Sequence, residues 1–590
     1  MRQRSIWKLL AVLLAFSLLA AACGDDDDDT SAGDDTTADG SADGSSDDSA
    51  DSSDDSADSS DDSADSSDDS ADSSDDSADS ADDSTDDGAD DGEMAAACDA
   101  TVPGTQVNYG QFSPAAIIDA PYASGSLVGG TELLAVYDAL LRYNPETDDY
   151  DPQLAESLTP NDDFTEWTLV LQEGLTFSNG DPFDIENLFA SMDRFFNEGV
   201  RNSSAGWLAL IEDRQEVDER TAVFTLSKPW STFGYVFADE PGMVINTRVI
   251  PEGEDDFAAF QASPLPEAGM GPYVVTRNVP GEELVMTARD DYWGGPVCIE
   301  TLRFVFVPGA AGTYDAFQAG DLDVGFIRDA NVYATAVENG EQIISDRQES
   351  GGITLMNHRE GAALSDPRLR EAIILAIDEN VISERGYSGD LKTTRALFSE
   401  DSRFYSDDII QSDYDPDRAA TLVEEAKADG FDGAITIVQS QDGAGPDISL
   451  AVEGMLEAVG FDVTVDLVPL IDSITRVVQA DYDLVPTWGF SLGSAETYTQ
   501  ILFNLSGTSP SNRMGYASDA MDAAIDAMLA APDADARVAA MAEINRVFVE
   551  EFVGLNYAAL DVGIVVAPNV QGIKATGTVM YMFDDAYIAE

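Results

Sequence analysis

Catalysis needs nucleophiles, bases or metal ligands at workable spacing, and this sequence offers few of them. His358 is the only histidine, so any Ser-His-Asp or Cys-His arrangement would have to use it. One Gly-x-Ser-x-Gly string occurs, Gly489-Phe490-Ser491-Leu492-Gly493, but His358 is the only histidine that could serve it as a base, and no Cys-x-x-Cys or multi-histidine spacing supplies a zinc site. A Gly-Lys-Ser/Thr phosphate loop is missing, and Gly351-Gly352 lacks dinucleotide spacing. The 114 acidic residues offer so many carboxylate pairs that a glycosidase pair carries no information by itself. His358 reads as a surface or core residue rather than a ligand, and one histidine suits nickel poorly. No metal and no cofactor are expected. The side chain that stands out is Trp488, in Thr487-Trp488-Gly489-Phe490-Ser491 after the strand-like Tyr482–Val485. An indole there either stacks on a solute and lines an apolar pocket or packs in the core. Phe490 and Tyr498 could widen such a pocket.

The segments that carry these residues fall into three compositional zones. Residues 1–23 hold Arg2, Arg4 and Lys8, then an apolar run Leu9–Leu19, then Ala20-Ala21-Ala22-Cys23. The run is too short to span a bilayer as a permanent helix, and the small residues after it read as a cleavage site. The pattern resembles the bacterial lipobox, which implies that Cys23 is lipidated and becomes the new N-terminus; Leu19 sits one place earlier than usual. Plain secretion with cleavage elsewhere is the alternative. Assigning Cys23 to lipid leaves Cys98 and Cys298, which in an oxidising compartment either join or stay as two buried thiols.

Residues 25–92 contain thirty aspartates and no Lys or Arg, and the unit Ser-Ser-Asp-Asp-Ser-Ala-Asp repeats five times between Ser45 and Asp79. The seven-residue period has no apolar seam, so it cannot drive a coiled coil. It reads as a disordered acidic tether spanning 24–97. Taking out +3 for the leader and −30 for residues 25–92 leaves −58 of the formal −85 on residues 93–590. Such a surface repels phosphate backbones, which argues against nucleic acid as a partner.

The body begins near Cys98 and is long enough for several domains. Trp167–Leu171 and Val223–Leu226 read as strands. Leu369, Ala372, Ile373, Ala376 and Ile377 mark a helix face behind Asp366-Pro367. Met521, Ile525, Met528 and Leu529 mark a second behind Ser518, and Val538, Met541, Phe548 and Phe552 a third after Pro532. Strands interleaved with helices predict an α/β or α+β body.

Five stretches together resemble the family-5 extracellular solute-binding proteins of ABC importers. They are Leu154–Ser157 leading through Trp167–Gly174 to Phe177-Ser-Asn-Gly-Asp-Pro-Phe183 and its helix; Gly271-Pro-Tyr273 with Arg289-Asp-Asp-Tyr-Trp-Gly-Gly295; Phe317–Asp323; Asp366–Ala372 running to Asp378; and Tyr414–Asp417. Most of these pieces are structural: Asn179-Gly180-Asp181-Pro182 is a turn, and Tyr292-Trp293 read as packing.

The resemblance implies a two-lobed, periplasmic-binding-protein type II-like α/β fold with an extra domain inserted in the first lobe. Chain order suggests lobe I from 98–145, 269–350 and 566–590, the extra domain from 146–268, and lobe II from 351–565. A Cys98–Cys298 bridge would then lie within lobe I. It implies a monomer without catalytic activity that captures oligopeptides or related small solutes and hands them to membrane permease subunits. Contact with the membrane would be through lipid alone. In peptide-binding relatives the loop matching Trp488 borders the ligand, and an aspartate three residues on pairs with the peptide ammonium. Ser491 stands at that position here and cannot form that ion pair; Glu496 is a substitute. The ligand-binding set expected is thus Trp488, Gly489, Phe490, Ser491 and Tyr498. A secreted hydrolase using paired carboxylates and a solute-sensing receptor subunit are the alternatives.

Overall fold

A computed structural model describes residues 98–111, 117–123, 129–145, 147–197, 200, 204–389, 391–441, 443–493, 497–509 and 511–589, the side chains of 205 and 471 excepted. All belong to the compact unit Asp91–Glu590. The leader, Cys23, the acidic tether and Glu496 lie outside the described residues.

The body is organised by one ten-stranded sheet. At its centre the two longest strands, Gln342–Met356 and Asn556–Val566, run antiparallel, in register from Gln342↔Val566 to Gln348↔Leu560. Outward on one side lie Leu484–Trp488, Ala434–Ser440 and Asp462–Val468. The last two pair in parallel, with the helix Gly445–Ala458 as their crossover. On the other side follow Val324–Ile327, Val102–Gln111, Ile299–Phe306, Glu283–Ala288 and Tyr273–Val279. Each half-sheet is covered by its own helices. Leu369, Ile373, Leu422, Ile437 and Val452 form one buried cluster in the second half, distinct from the core around Val107, Leu302 and Phe304 in the first. Two layered halves joined by two long strands give a two-lobed α/β fold. Cys98 and Cys298 form a disulfide with Cα atoms 5.7 Å apart, tying the start of Val102–Gln111 to the start of its parallel neighbour.

A separate four-stranded antiparallel sheet, in the order Ala155–Pro160, Glu166–Leu171, Thr221–Leu226, Ile211–Glu216, makes the inserted piece. Its alternation is the reason it forms: Trp167, Leu169 and Leu171 are buried while their neighbours are not. Gly180 takes φ 86° in the turn that leads to the helix Ile185–Asp193, which Asp184 caps through the Asn187 amide.

The helix signals are met with one correction. Asp366 caps Pro367–Ala376 and Ser518 caps Asp519–Leu529. The third helix, Ala534–Glu550, buries Met541, Ile544, Val547 and Phe548, but Val538 is 37% exposed. Phe552 lies beyond the helix end at φ 52°. The expected stripe joins both to Met541 and Phe548, but Val538 sits near the exposed start of the helix, and Phe552, past its end, packs against the cluster around Leu369 and Leu422 instead.

Candidate functional site

The central strand pair is not regular. Between Gln348↔Leu560 and Gly352↔Ala558 the register shifts, so the 342–356 strand carries extra residues opposite its partner. Ser350 sits at φ 50°, fully buried, with its hydroxyl donating to the Leu397 carbonyl at 2.8 Å. The two glycines that follow are required by crowding: an ideal Cβ on Gly352 would come 2.6 Å from the Tyr557 ring. The bulge turns Glu349 away from the ladder. Its carboxylate accepts from the Ser399 amide (2.7 Å) and the Ser399 hydroxyl (2.8 Å). Burial raises its pKa, and the Ser399 donors and Arg347 oppose that rise.

Two residues before Glu349, Arg347 grips Asp561 with two bonds (2.8 and 3.0 Å) and Asp401 with a third (2.5 Å). Lys392 also donates to Asp401. Lys392 first, then Arg347, hold the Asp401 carboxyl down at about 2.

A second charge cluster faces this one. The hairpin Leu141–Asn144/Asp149–Pro152 presents Asp148 at its tip, at φ 54°, a left-handed conformation that Asp tolerates. Asp148 accepts from Arg403 (2.7 Å), Arg537 (3.1 Å), Tyr143 (3.0 Å) and Tyr498 (3.2 Å). Burial first, then the Asp148 charge, pushes the Tyr498 phenol up to about 12, so it stays a donor at ordinary pH. The Arg403 guanidinium lies 4.7 Å over the Phe404 ring and the Arg537 guanidinium 5.7 Å over the Tyr498 ring.

Between the clusters lies a cavity of about 240 Å³ lined by Tyr143, Pro145, Arg347, Glu349, Asp401, Ser402, Arg403, Phe404, Leu492 and Thr497. Its walls come from three separate parts of the fold: the Asp148 hairpin, the bulged central strand, and the segments around 402 and 492. A ligand placed there would touch all three.

The expected site residues distribute unevenly around it. Trp488 is half-buried at the end of its strand, opposite Ile353. Gly489 and Ser491 are exposed, and Ser491 has φ 54°. Phe490 is 2% exposed in the core, its amide donating to Ser350 O at 3.0 Å. The segment is thus stitched to the bulge, and Leu492, which pairs with Glu349, reaches the cavity wall. Tyr498 joins the Asp148 cluster. Sequence reasoning missed Glu349, Arg403, Arg537 and Asp148. Only Glu349 carried a local signal: an acid followed by Ser-Gly-Gly within an otherwise regular strand.

Elsewhere the chemistry is structural. His358 Nε2 donates to the Val553 carbonyl at 2.8 Å, and burial with the nearby Arg370 charge pushes its pKa down to about 3. Tyr292 and Trp293 both donate to the buried Asp138 carboxylate at 2.9 Å, which accounts for their place in the sequence as packing. Among the described residues, no group of three or more His, Cys, Asp or Glu side chains could hold a metal ion, and no helix is long and apolar enough to cross a membrane.

Comparison with known proteins agrees with this geometry. The "Probable D,D-dipeptide-binding periplasmic protein DdpA" of Escherichia coli (strain K12) is 24% identical over 423 residues, covering 70% of this chain and 81% of that protein. The Helicobacter pylori ABC transporter-associated periplasmic binding protein, solved with the peptide STSA, superposes with a TM-score of 0.69 at 18% identity, covering 82% of this chain and 98% of its own. The agropinic acid complex of a binding protein from A. tumefaciens R10 also gives 0.69, at 20% identity over 82% and 99%. These likenesses establish the two-lobed periplasmic-binding-protein fold. The model for "Bacterial extracellular solute-binding proteins, family 5 Middle" matches residues 149–510, and the chain belongs to that family.

Proposed function

We propose that this chain is the lipid-anchored, extracytoplasmic solute-binding component of an ABC importer, with oligopeptides or related small solutes as its cargo. The observation that carries the reading is the cavity whose walls come from the Asp148 hairpin, the bulged strand and the 402/492 segments together. In this reading lobe I (98–145, 269–350, 566–590) with the extra domain (146–268) closes on lobe II (351–565), and the paired strands bend at the bulge near Ser350. Only contacts that bridge the parts favour the closed form, and a solute that makes them shifts the population toward it. The closed form is what permease subunits would recognise. Lipid on Cys23 would hold the monomer at the membrane, with residues 24–97 as tether. Trp488, Gly489, Phe490 and Ser491 shape the floor behind the bulge, and Tyr498 the charged rim.

A thermal-shift screen of di- to pentapeptides, oligosaccharides, opines and metal chelates tests this. One solute class should raise the melting temperature, by the equivalent of about 2.7 kcal/mol at a hundredfold excess over Kd. Small-angle scattering should show the particle contract with the same solute. Turnover of any probe, or indifference to all of them, would sink the reading.

A further inference from the structure

The charges around the cavity do not pair evenly. Arg347 is held by Asp561 and Asp401, Lys392 by Asp401, and Arg403 and Arg537 by Asp148. Four cations thus share three carboxylates. The remaining carboxylate in the cavity wall is Glu349, 6% exposed, with no ion pair among the described residues. Arg347 acts on it only from longer range, being turned toward Asp401 and Asp561. A carboxylate has about four acceptor positions, and the two Ser399 bonds use only two.

A buried carboxylate without a cation is costly unless a partner arrives. The bulge that holds Glu349 in place is itself a local departure from a regular ladder, fixed by Ser350 at positive φ and by two glycines. The cationic partner that Glu349 lacks among the described residues can be brought by the guest. We infer, resting on the solute-capture reading, that Glu349 is the cation-anchoring residue of the cavity and that the cargo carries a primary ammonium or guanidinium group which donates to it. In the other walls each arginine already faces a carboxylate of the protein, Arg347 with Asp401 and Asp561 and Arg403 with Asp148. Phe404 and Tyr143 offer aromatic surface to the rest of a compact guest.

The test uses the purified chain with Ala-Ala, Ala-Ala-Ala and Lys-Ala, their N-acetyl counterparts (for Lys-Ala, acetylated at both amines), and the neutral trisaccharide maltotriose, read by thermal shift and calorimetry. A free-amine probe should bind, and acetylation should weaken it at least tenfold on the unaltered protein, a comparison that needs no variant. Glu349→Gln should lower affinity for the amine at least tenfold while changing that of its acetylated form less than twofold. Acetylated peptide or maltotriose bound as tightly as the amines, or an amine affinity unmoved by Glu349→Gln, overturns the role of Glu349 and leaves solute capture standing. A set with no binder at all, here and in the wider screen, sinks both.

Discussion

Asp148 Oδ1 and Arg403 Nη2 stand 2.7 Å apart although 255 positions separate them in the chain. The aspartate belongs to a hairpin tip and the arginine to the segment that ends the cavity. With Arg537 and Tyr498 bonded to the same carboxylate, this contact joins the hairpin to three distant segments beside the cavity and, in the capture reading, favours the closed form. Asp148→Asn keeps the shape but removes the charge. The expected loss is about 1 kcal/mol of closed-state preference, since Arg403 is partly exposed. That corresponds to a roughly fivefold weaker solute affinity. Scattering should report a larger radius of gyration without solute, and the gap to the unaltered protein should narrow in high salt.

The Cys98–Cys298 bridge spans 200 residues of sequence. Cross-linking so long a loop removes much freedom from the unfolded chain, and its loss should cost about 2–4 kcal/mol. Reduction, or Cys98→Ser with Cys298→Ser, should therefore lower the melting temperature measured by calorimetry. Solute affinity should change little, because neither cysteine lines the cavity.

Asp138 gives a pH signature. Burial first, then the Asp584 charge, raises its carboxyl to about 7 from an ordinary 3.8, against the pull of the Ala139, Trp293 and Tyr292 donors. Between those values the folded chain keeps a proton that the unfolded chain has released. Stability therefore falls as pH rises from about 4 to about 7 and levels off above, with a slope from this one group of at most about 1.4 kcal/mol per pH unit. Asp138→Asn should show a flatter profile than the unaltered protein across that window in urea titrations, whatever its absolute stability.

The bulge can be tested by crowding it. A Cβ on Gly352 would press on the fully buried Tyr557 ring at 2.6 Å and on the Ala558 methyl at 3.2 Å. Gly352→Ala should cost about 1–3 kcal/mol in urea unfolding and weaken solute binding as the bulge shifts. At Gly454, within a helix where nothing lies within 4 Å of the added methyl, the same change should be neutral or stabilising.

The elements were legible where local physics decides them. Trp167–Leu171 alternates because one face is buried, and Asp366-Pro367 starts a helix because the carboxylate caps it and the proline needs no amide partner. The family pattern carried the two-lobed architecture. The charged rim was not legible. Asp148 meets Arg403 and Arg537 through the folding of three distant segments, and in a chain with 114 acids no single aspartate announces its partner. Trp488 stood out by its type and loop and lies opposite Ile353 at the end of its strand, whereas Glu349, four positions before Ile353, lines the cavity without any signal of residue type.

The strand Asn556–Val566 sits at the middle of the large sheet, between Gln342–Met356 and Val324–Ile327. During synthesis it emerges more than two hundred residues after either neighbour. Until it does, the two half-sheets have raw inner margins and nothing to join them, so the nascent body cannot complete its framework. Non-local closure of this kind is slow. A polypeptide whose keystone arrives last keeps its two half-sheets unjoined for most of its elongation, which in the exported reading leaves it open to threading before it hardens.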